Sequence, residues 1–200
     1  GGALGVLFHN RVGLLCDASM AEYYLVEKNN QQPQPGKDIC LTPRIEVFKD
    51  DVWYTNLYDL PATVTSKDEN GTIELLADVK LKNVDRQEVA ETASAFDIVY
   101  NCNADKVEIK VSTKQDITEQ TAFVLPIVSP SSEAVINISE NEITIQKTEG
   151  LVTIKANAPI KSKELSKKRT FNMVPGVEAI PLEVFFEKTS KELQISISVS

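Results

Sequence analysis

The sequence predicts an all-β protein, a two-layer antiparallel β-sandwich of about fourteen strands. The clearest sign is in residues 134–157, where Ala134/Ile136/Ile138, Ile143/Ile145 and Val152/Ile154/Ala156 alternate with Asn137, Ser139, Thr144, Gln146, Thr153 and Lys155. A period of two marks a strand with one apolar face. The connections here, Glu140-Asn141 and residues 147–150, are too short to cross between parallel neighbours, so the three strands form an antiparallel meander. The same alternation recurs along most of the chain, and each apolar face needs a second layer to cover it. A chain of 200 residues can do this without disulfides, because it buries roughly 70% of the surface that its unfolded form exposes.

Taken in order, residues 4–8 are an apolar run and Gly13 interrupts the next, 12–16, which predicts a hairpin or two short strands. Residues 22–27 are read as a strand from their aromatic and β-branched content, and 29–36, with two prolines and three glutamines, as a loop. Ile45/Val47 and the aromatic stretch 52–58 flank Lys49-Asp50-Asp51 as a hairpin. Residues 62–65 and 72–84 flank Asp68-Glu69-Asn70-Gly71, whose Asn-Gly is the strongest hairpin signal present. Residues 86–93 are the single helical candidate, one turn or two. Phe96/Ile98/Tyr100, Val107/Ile109/Val111 and Phe123/Leu125/Ile127 precede the meander, and strands at 169–173, 177–186 and 193–199 close the chain. Residues 61–200 make the main sandwich; 1–60 are hairpins that either join it or form an appended sheet.

Composition excludes several functions. Cys16, Cys40 and Cys102 are widely spaced and odd in number, which gives neither a zinc pattern nor a disulfide framework; one bridge at most could form. No apolar run is long enough to span a bilayer, and the opening residues do not read as a basic, then apolar, then small-residue leader. The chain opens at Gly1-Gly2-Ala3 without a methionine and goes directly into strand-like sequence, which is expected of a processed product or of a piece of something longer. With 21 basic and 29 acidic residues the formal charge is −8, a field that repels nucleic acid and anionic membranes. Locally, Lys161, Lys163, Lys167, Lys168 and Arg169 surround Glu164 alone, either as a solvated loop or as an anchor for an acidic polymer.

The chemistry-bearing residues are few. His9 is the one histidine, which excludes a histidine-rich metal site and any mechanism with two imidazoles; beside Asn10 and Arg11 it could act as a base, although most lone histidines are structural. The 68–71 loop lacks the ligand series of a calcium site, and its turn chemistry accounts for it. No nucleophile elbow, phosphate-binding glycine loop or zincin motif is present. No catalytic residue, metal ligand or cofactor is therefore assigned. Trp53, Tyr54 and Tyr58, with Phe48 across the proposed turn, have two readings: a buried core, or a platform on which the apolar C–H face of a sugar ring stacks. Alternation puts Trp53 on the face opposite Tyr54 and Tyr58.

Residues 7–13 (Leu-Phe-His-Asn-Arg-Val-Gly), 18–23 (Ala-Ser-Met-Ala-Glu-Tyr) and 27–31 carry a resemblance, as do Leu41-Thr42-Pro43-Arg44-Ile45-Glu46, 53–59 and 171–182. Together they resemble the C-terminal β-domain of heparinase II/III-like polysaccharide lyases and related proteins of glycan-degrading bacteria. In that family an (α/α) toroid precedes the sandwich, and the active site between them removes the proton α to a uronate carboxylate before β-elimination. This chain has neither the toroid nor the family's several histidines, so no catalytic or metal residue is carried over. The resemblance implies an accessory, non-catalytic domain of a secreted or periplasmic protein, partnered by a helical domain of the parent protein or by polysaccharide. An exposed apolar cluster on one sheet face would mark the missing partner. A free-standing carbohydrate-binding module using Trp53, Tyr54 and Tyr58, with His9 and Arg11 as contributors, is the rival; a complete lyase with His9 and a tyrosine as acid and base is the third reading.

Overall fold

The computed structural model describes residues 1–21, 39–90, 93–162 and 169–200. Among these, sixteen strands and no α-helix form the fold. The first eight are β1 (Val6–His9), β2 (Gly13–Asp17), β3 (Arg44–Lys49), β4 (Val52–Thr55), β5 (Thr63–Glu69), β6 (Thr72–Lys80), β7 (Ala95–Cys102) and β8 (Lys106–Ser112). The rest are β9 (Thr121–Val128), β10 (Ala134–Ser139), β11 (Glu142–Lys147), β12 (Gly150–Ala156), β13 (Ile160–Ser162), β14 (Thr170–Asn172), β15 (Val177–Phe185) and β16 (Glu192–Val199). An eight-stranded sheet runs β10-β11-β12-β16-β8-β7-β6-β5, a six-stranded sheet runs β13-β15-β9-β3-β4 with β14 also on β15, and β1-β2 is a separate hairpin. This is the antiparallel β-sandwich that the sequence predicts.

The core forms where the two sheets face each other. Ile98, Ile109, Ile145, Ile154 and Ile197 come from the larger sheet, Ile45, Val47, Phe123, Leu125, Ile180 and Leu182 from the smaller, and Leu15 and Cys16 from the first hairpin. Two prolines show how the smaller sheet tolerates residues without an N–H. Pro126 of β9 stands opposite Pro181 of β15. Such a pair exchanges no backbone bonds, so each missing N–H faces the outer neighbour. β3 pairs with β9 only as far as Val124, and the partners of β15 leave Pro181 in the gap between β14 and β13. Neither proline removes a ladder bond.

The hairpin over Asn70-Gly71 forms as expected, with Glu69 opposite Thr72 and both turn residues at positive φ. Three expectations are corrected. First, residues 86–90 are not helical: the Asn83 side chain accepts the Gln87 amide at 2.8 Å and the Asn83 amide donates to the Gln87 carbonyl at 2.9 Å, closing a turn in which Arg86 has φ 65°. Second, the strand expected over 52–58 ends at Thr55, and Asn56–Tyr58 is a 3-10 turn whose Leu57 amide donates to the Thr55 hydroxyl. Third, β10 presents its other face. Ile136 pairs with Thr144 on the outer side and is 47% exposed, whereas Val135 is the residue opposite buried Ile145. A shift of one residue turns every side chain over, and here the register is set by the bulge between Asn137 and Ser139. The readings of 22–27 as a strand and 29–36 as a loop, and most of the basic segment 161–169, lie outside the described residues.

Candidate functional site

The outer face of β3 and β4 carries the site. Ile45 and Val47 point into the core, which turns Arg44, Glu46 and Phe48 outward, opposite Val124, Ala122 and Trp53 of the neighbouring strands. Arg44 and Glu46 are nevertheless 2% and 5% exposed, joined by an Nε to Oε1 hydrogen bond of 2.6 Å. Nη1 of Arg44 also donates to the Cys40 and Thr42 carbonyls at 3.0 Å. A buried ion pair is retained at little or no gain in stability unless its hydrogen bonds are completed. Here the backbone completes part of them and fixes the plane of the guanidinium.

A cavity of about 340 Å³ opens above this pair, walled by Trp53, Leu57, Tyr58, Asn83 and Val84 and lined also by Cys40, Tyr54 and Thr55. Trp53 is 38% exposed and packs on Phe48 with ring centroids 4.5 Å apart. It belongs to the surface. Tyr54 points the other way and packs against the core. Tyr58 comes to the cavity because the chain leaves the strand at Asn56. That turn is fixed by the fully buried Asn56 side chain, whose Oδ1 accepts the Ile45 amide at 2.8 Å.

His9 and Arg11 are elsewhere. Neither lines this cavity. Nε2 of His9 lies 3.2 Å from Asp105 Oδ1 and Nδ1 accepts the Arg11 amide at 3.2 Å, so the proton is on Nε2 and both ring nitrogens are engaged within the chain. Arg11 donates to the Glu149 carbonyl at 3.3 Å. This pair holds the first hairpin against the turns at 103–105 and 148–149. The structure thus brings Trp53 and Tyr58 together, places Tyr54 with them through one wall, and separates His9 and Arg11 from them.

The cysteines and the buried tyrosine are structural. All three cysteines are free. Burial, with the neighbouring Asp17 charge, pushes the Cys16 thiol up to about 12, and burial likewise raises the Tyr100 phenol. Both stay protonated at neutral pH. Among the described residues no group of three or more His, Cys, Asp or Glu side chains could hold a metal ion, and no helix is long and apolar enough to cross a membrane. The basic segment contributes Arg169, which is used internally on the Ser129 and Glu133 carbonyls at 2.7 and 3.0 Å.

The ulvan lyase C-terminal domain family matches this chain over residues 1–200. The chain belongs to that family. A Formosa agariphila protein described as a broad-specificity ulvan lyase is 60% identical over 199 residues, covering 100% of this chain and 31% of the relative. The chain therefore spans about a third of the length of that curated relative. The resemblance to a polysaccharide lyase C-terminal domain holds at this level, and the family that matches is the ulvan lyase one. In this ulvan lyase C-terminal domain, Arg44, Glu46, Asn83 and Val84 are the cavity residues that sequence reasoning missed. The signal for the first two was present, since opposite charges two residues apart share one face of a strand. Nothing in the sequence announced their burial.

Proposed function

We propose that this chain is the accessory, non-catalytic β-sandwich domain of an extracellular or periplasmic bacterial lyase acting on ulvan, and that it packs against a helical catalytic domain ahead of it. The carrying observation is the match of the whole chain to a C-terminal domain family, together with the 31% of the ulvan lyase relative that it covers. The absence of a second imidazole supports the non-catalytic role, and the lone histidine is engaged at both nitrogens. β-Elimination needs a base free to reach the proton α to the uronate carboxylate, and a group to stabilise the carbanion as it forms. The test is to incubate the isolated chain and the parent lyase with ulvan and follow the ultraviolet absorbance of unsaturated uronate. Absorbance should rise with the parent alone; elimination by the isolated chain would overturn the reading.

A second reading, direct sugar binding by this domain, is favoured by one observation: a partly exposed tryptophan stacked on Phe48 at the rim of a cavity with a buried Arg–Glu pair below it. Trp53 would stack on the apolar face of a sugar ring, while the guanidinium donates to its hydroxyl oxygens and the carboxylate accepts from its hydroxyls. Trp53 is the single tryptophan, so its emission reports on this site. Saturable change on titration with ulvan would establish the contact; unchanged emission would remove it.

A further inference from the structure

Among the described residues that line the cavity over β3 and β4, the charged ones are one cation, Arg44, and two carboxylates, Glu46 and Asp51. Arg44 is already matched, with Nε on Glu46 Oε1 at 2.6 Å and Nη1 on the Cys40 and Thr42 carbonyls at 3.0 Å. Both side chains of this pair are buried, so water screens them little. Asp51 is exposed in the turn that joins β3 to β4, next to Asp50, and both residues have positive φ. Lys49, the residue before them, turns to the face of β3 opposite that of Glu46 and donates to the Ala90 carbonyl at 2.7 Å. Over its described lining the cavity therefore carries an excess of negative charge.

The rest of the described wall is mainly apolar, with Val52, Trp53, Leu57 and Val84. Its polar side chains are engaged within the chain. Asn83 accepts the Gln87 amide at 2.8 Å and donates to Gln87 Oε1 at 3.2 Å, and the Thr55 hydroxyl accepts the Leu57 amide at 3.4 Å. At about 340 Å³ the cavity is large enough for a small-molecule ligand. An anionic group seated in it would give up its hydration and lie beside Glu46, sharing a guanidinium that Glu46 and two carbonyls already hold. An uncharged sugar ring gives up far less. Its C–H face stacks on the indole of Trp53, and its hydroxyls keep hydrogen bonds to the charged pair or to water.

We propose that the cavity over the Arg44–Glu46 pair seats an uncharged sugar residue of the polysaccharide by its apolar face and leaves the carboxylate-bearing residues outside. This rests on the reading that the domain contacts sugar directly, and it names the class of sugar that enters. The uronate is the unit on which elimination acts, so the domain would hold the polymer by the units that the reaction does not consume. Binding of that kind survives cleavage, because the elimination step alters the uronate and not the uncharged residue.

The test is to titrate the 200-residue chain, following Trp53 emission, with ulvan and with ulvan whose carboxylates have been reduced to primary alcohols. Each titration is run at about 50 mM and at about 500 mM sodium chloride. Reduction turns the uronate units into neutral ones and leaves the uncharged units as they were. The reduced polymer should bind no more than about threefold less tightly than the native one. Neither should weaken at high salt, because the formal charge of −8 repels a polyanion and salt relieves that repulsion. A greater loss on reduction, towards the roughly tenfold or more of a lost charge-assisted hydrogen bond, would overturn the proposal and leave the sugar-contact reading standing. Weakening between the two salt concentrations would do the same, since it marks contacts made through the polymer's anions. Emission unchanged by both polymers would instead sink the sugar-contact reading, and this proposal with it.

Discussion

β11 and β6 each lie one strand in from an edge of the same sheet, and they are finished differently. On β11 the inward residues Ile143, Ile145 and Lys147 are all buried, and the Lys147 ammonium crosses to the smaller sheet, donating to the Val128 carbonyl at 2.7 Å and to Glu133 at 2.8 Å. On β6 burial begins only at Ala77. There, Asp59 from the turn after β4 pairs with Lys82 at 2.8 Å and accepts the Lys80 amide at 2.8 Å. The first half of β6 has no such tie and its inward Ile73 is open to solvent. A charge held between the layers closes the β11 end of the sandwich from within, whereas the start of β6 leaves its inward Ile73 open to solvent.

The sharpest way to break this contrast is Lys147→Ala, which strands Glu133 and a buried carbonyl. It should cost about 3 kcal/mol of unfolding free energy, the lower end for removing one partner of a buried pair, measured by urea denaturation. Asp59→Asn should cost about 2 kcal/mol at neutral pH, the worth of hydrogen bonds to a charged group. Burial alone would raise the Asp59 carboxyl, but the hydrogen bonds from Lys82 and from the Lys80 amide, with the Lys82 charge, outweigh it and hold it below the ordinary carboxylate value. A depressed folded pKa means that this stabilisation is complete above the unfolded carboxylate range and lost as pH falls through the folded value. The gap between wild type and Asp59→Asn in urea midpoint should therefore close in acid. Trp53→Ala, away from both ends, should cost about 1 kcal/mol through its contact with Phe48, while abolishing any calorimetrically measured ulvan binding that a phenylalanine at the same position retains. Smallest of all, Ile73→Thr in the isolated chain should stay within about 1 kcal/mol, because the side chain is 46% exposed and threonine keeps its β-branched shape.

Much of the sandwich was legible because its strands obey local rules. Asn70-Gly71 fixed one hairpin through positive φ, and the alternation of Leu193, Ile195, Ile197 and Val199 gave β16 its face. The misses share a physical cause. At 56–58 and 83–87, asparagine side chains bond to nearby backbone and take it out of the pattern that the apolar residues suggest. β10 carries apolar residues on both faces, so its orientation depended on a bulge that composition does not encode. For the candidate site, Trp53 and Tyr58 could be singled out as aromatic residues close in sequence, but Asn83 and Val84 reach them only through the sandwich. His9 and Arg11 were grouped with them by chemistry, and the fold holds them against different turns.

Whether the sandwich is closed by a charge at the β11 end and open to solvent at the start of β6 is decided most directly by comparing Lys147→Ala and Ile73→Thr in the isolated chain under the same urea titration. A large drop in midpoint for Lys147→Ala with at most a small one for Ile73→Thr is the predicted result. Comparable losses for the two would mean that Ile73 is already covered within these 200 residues.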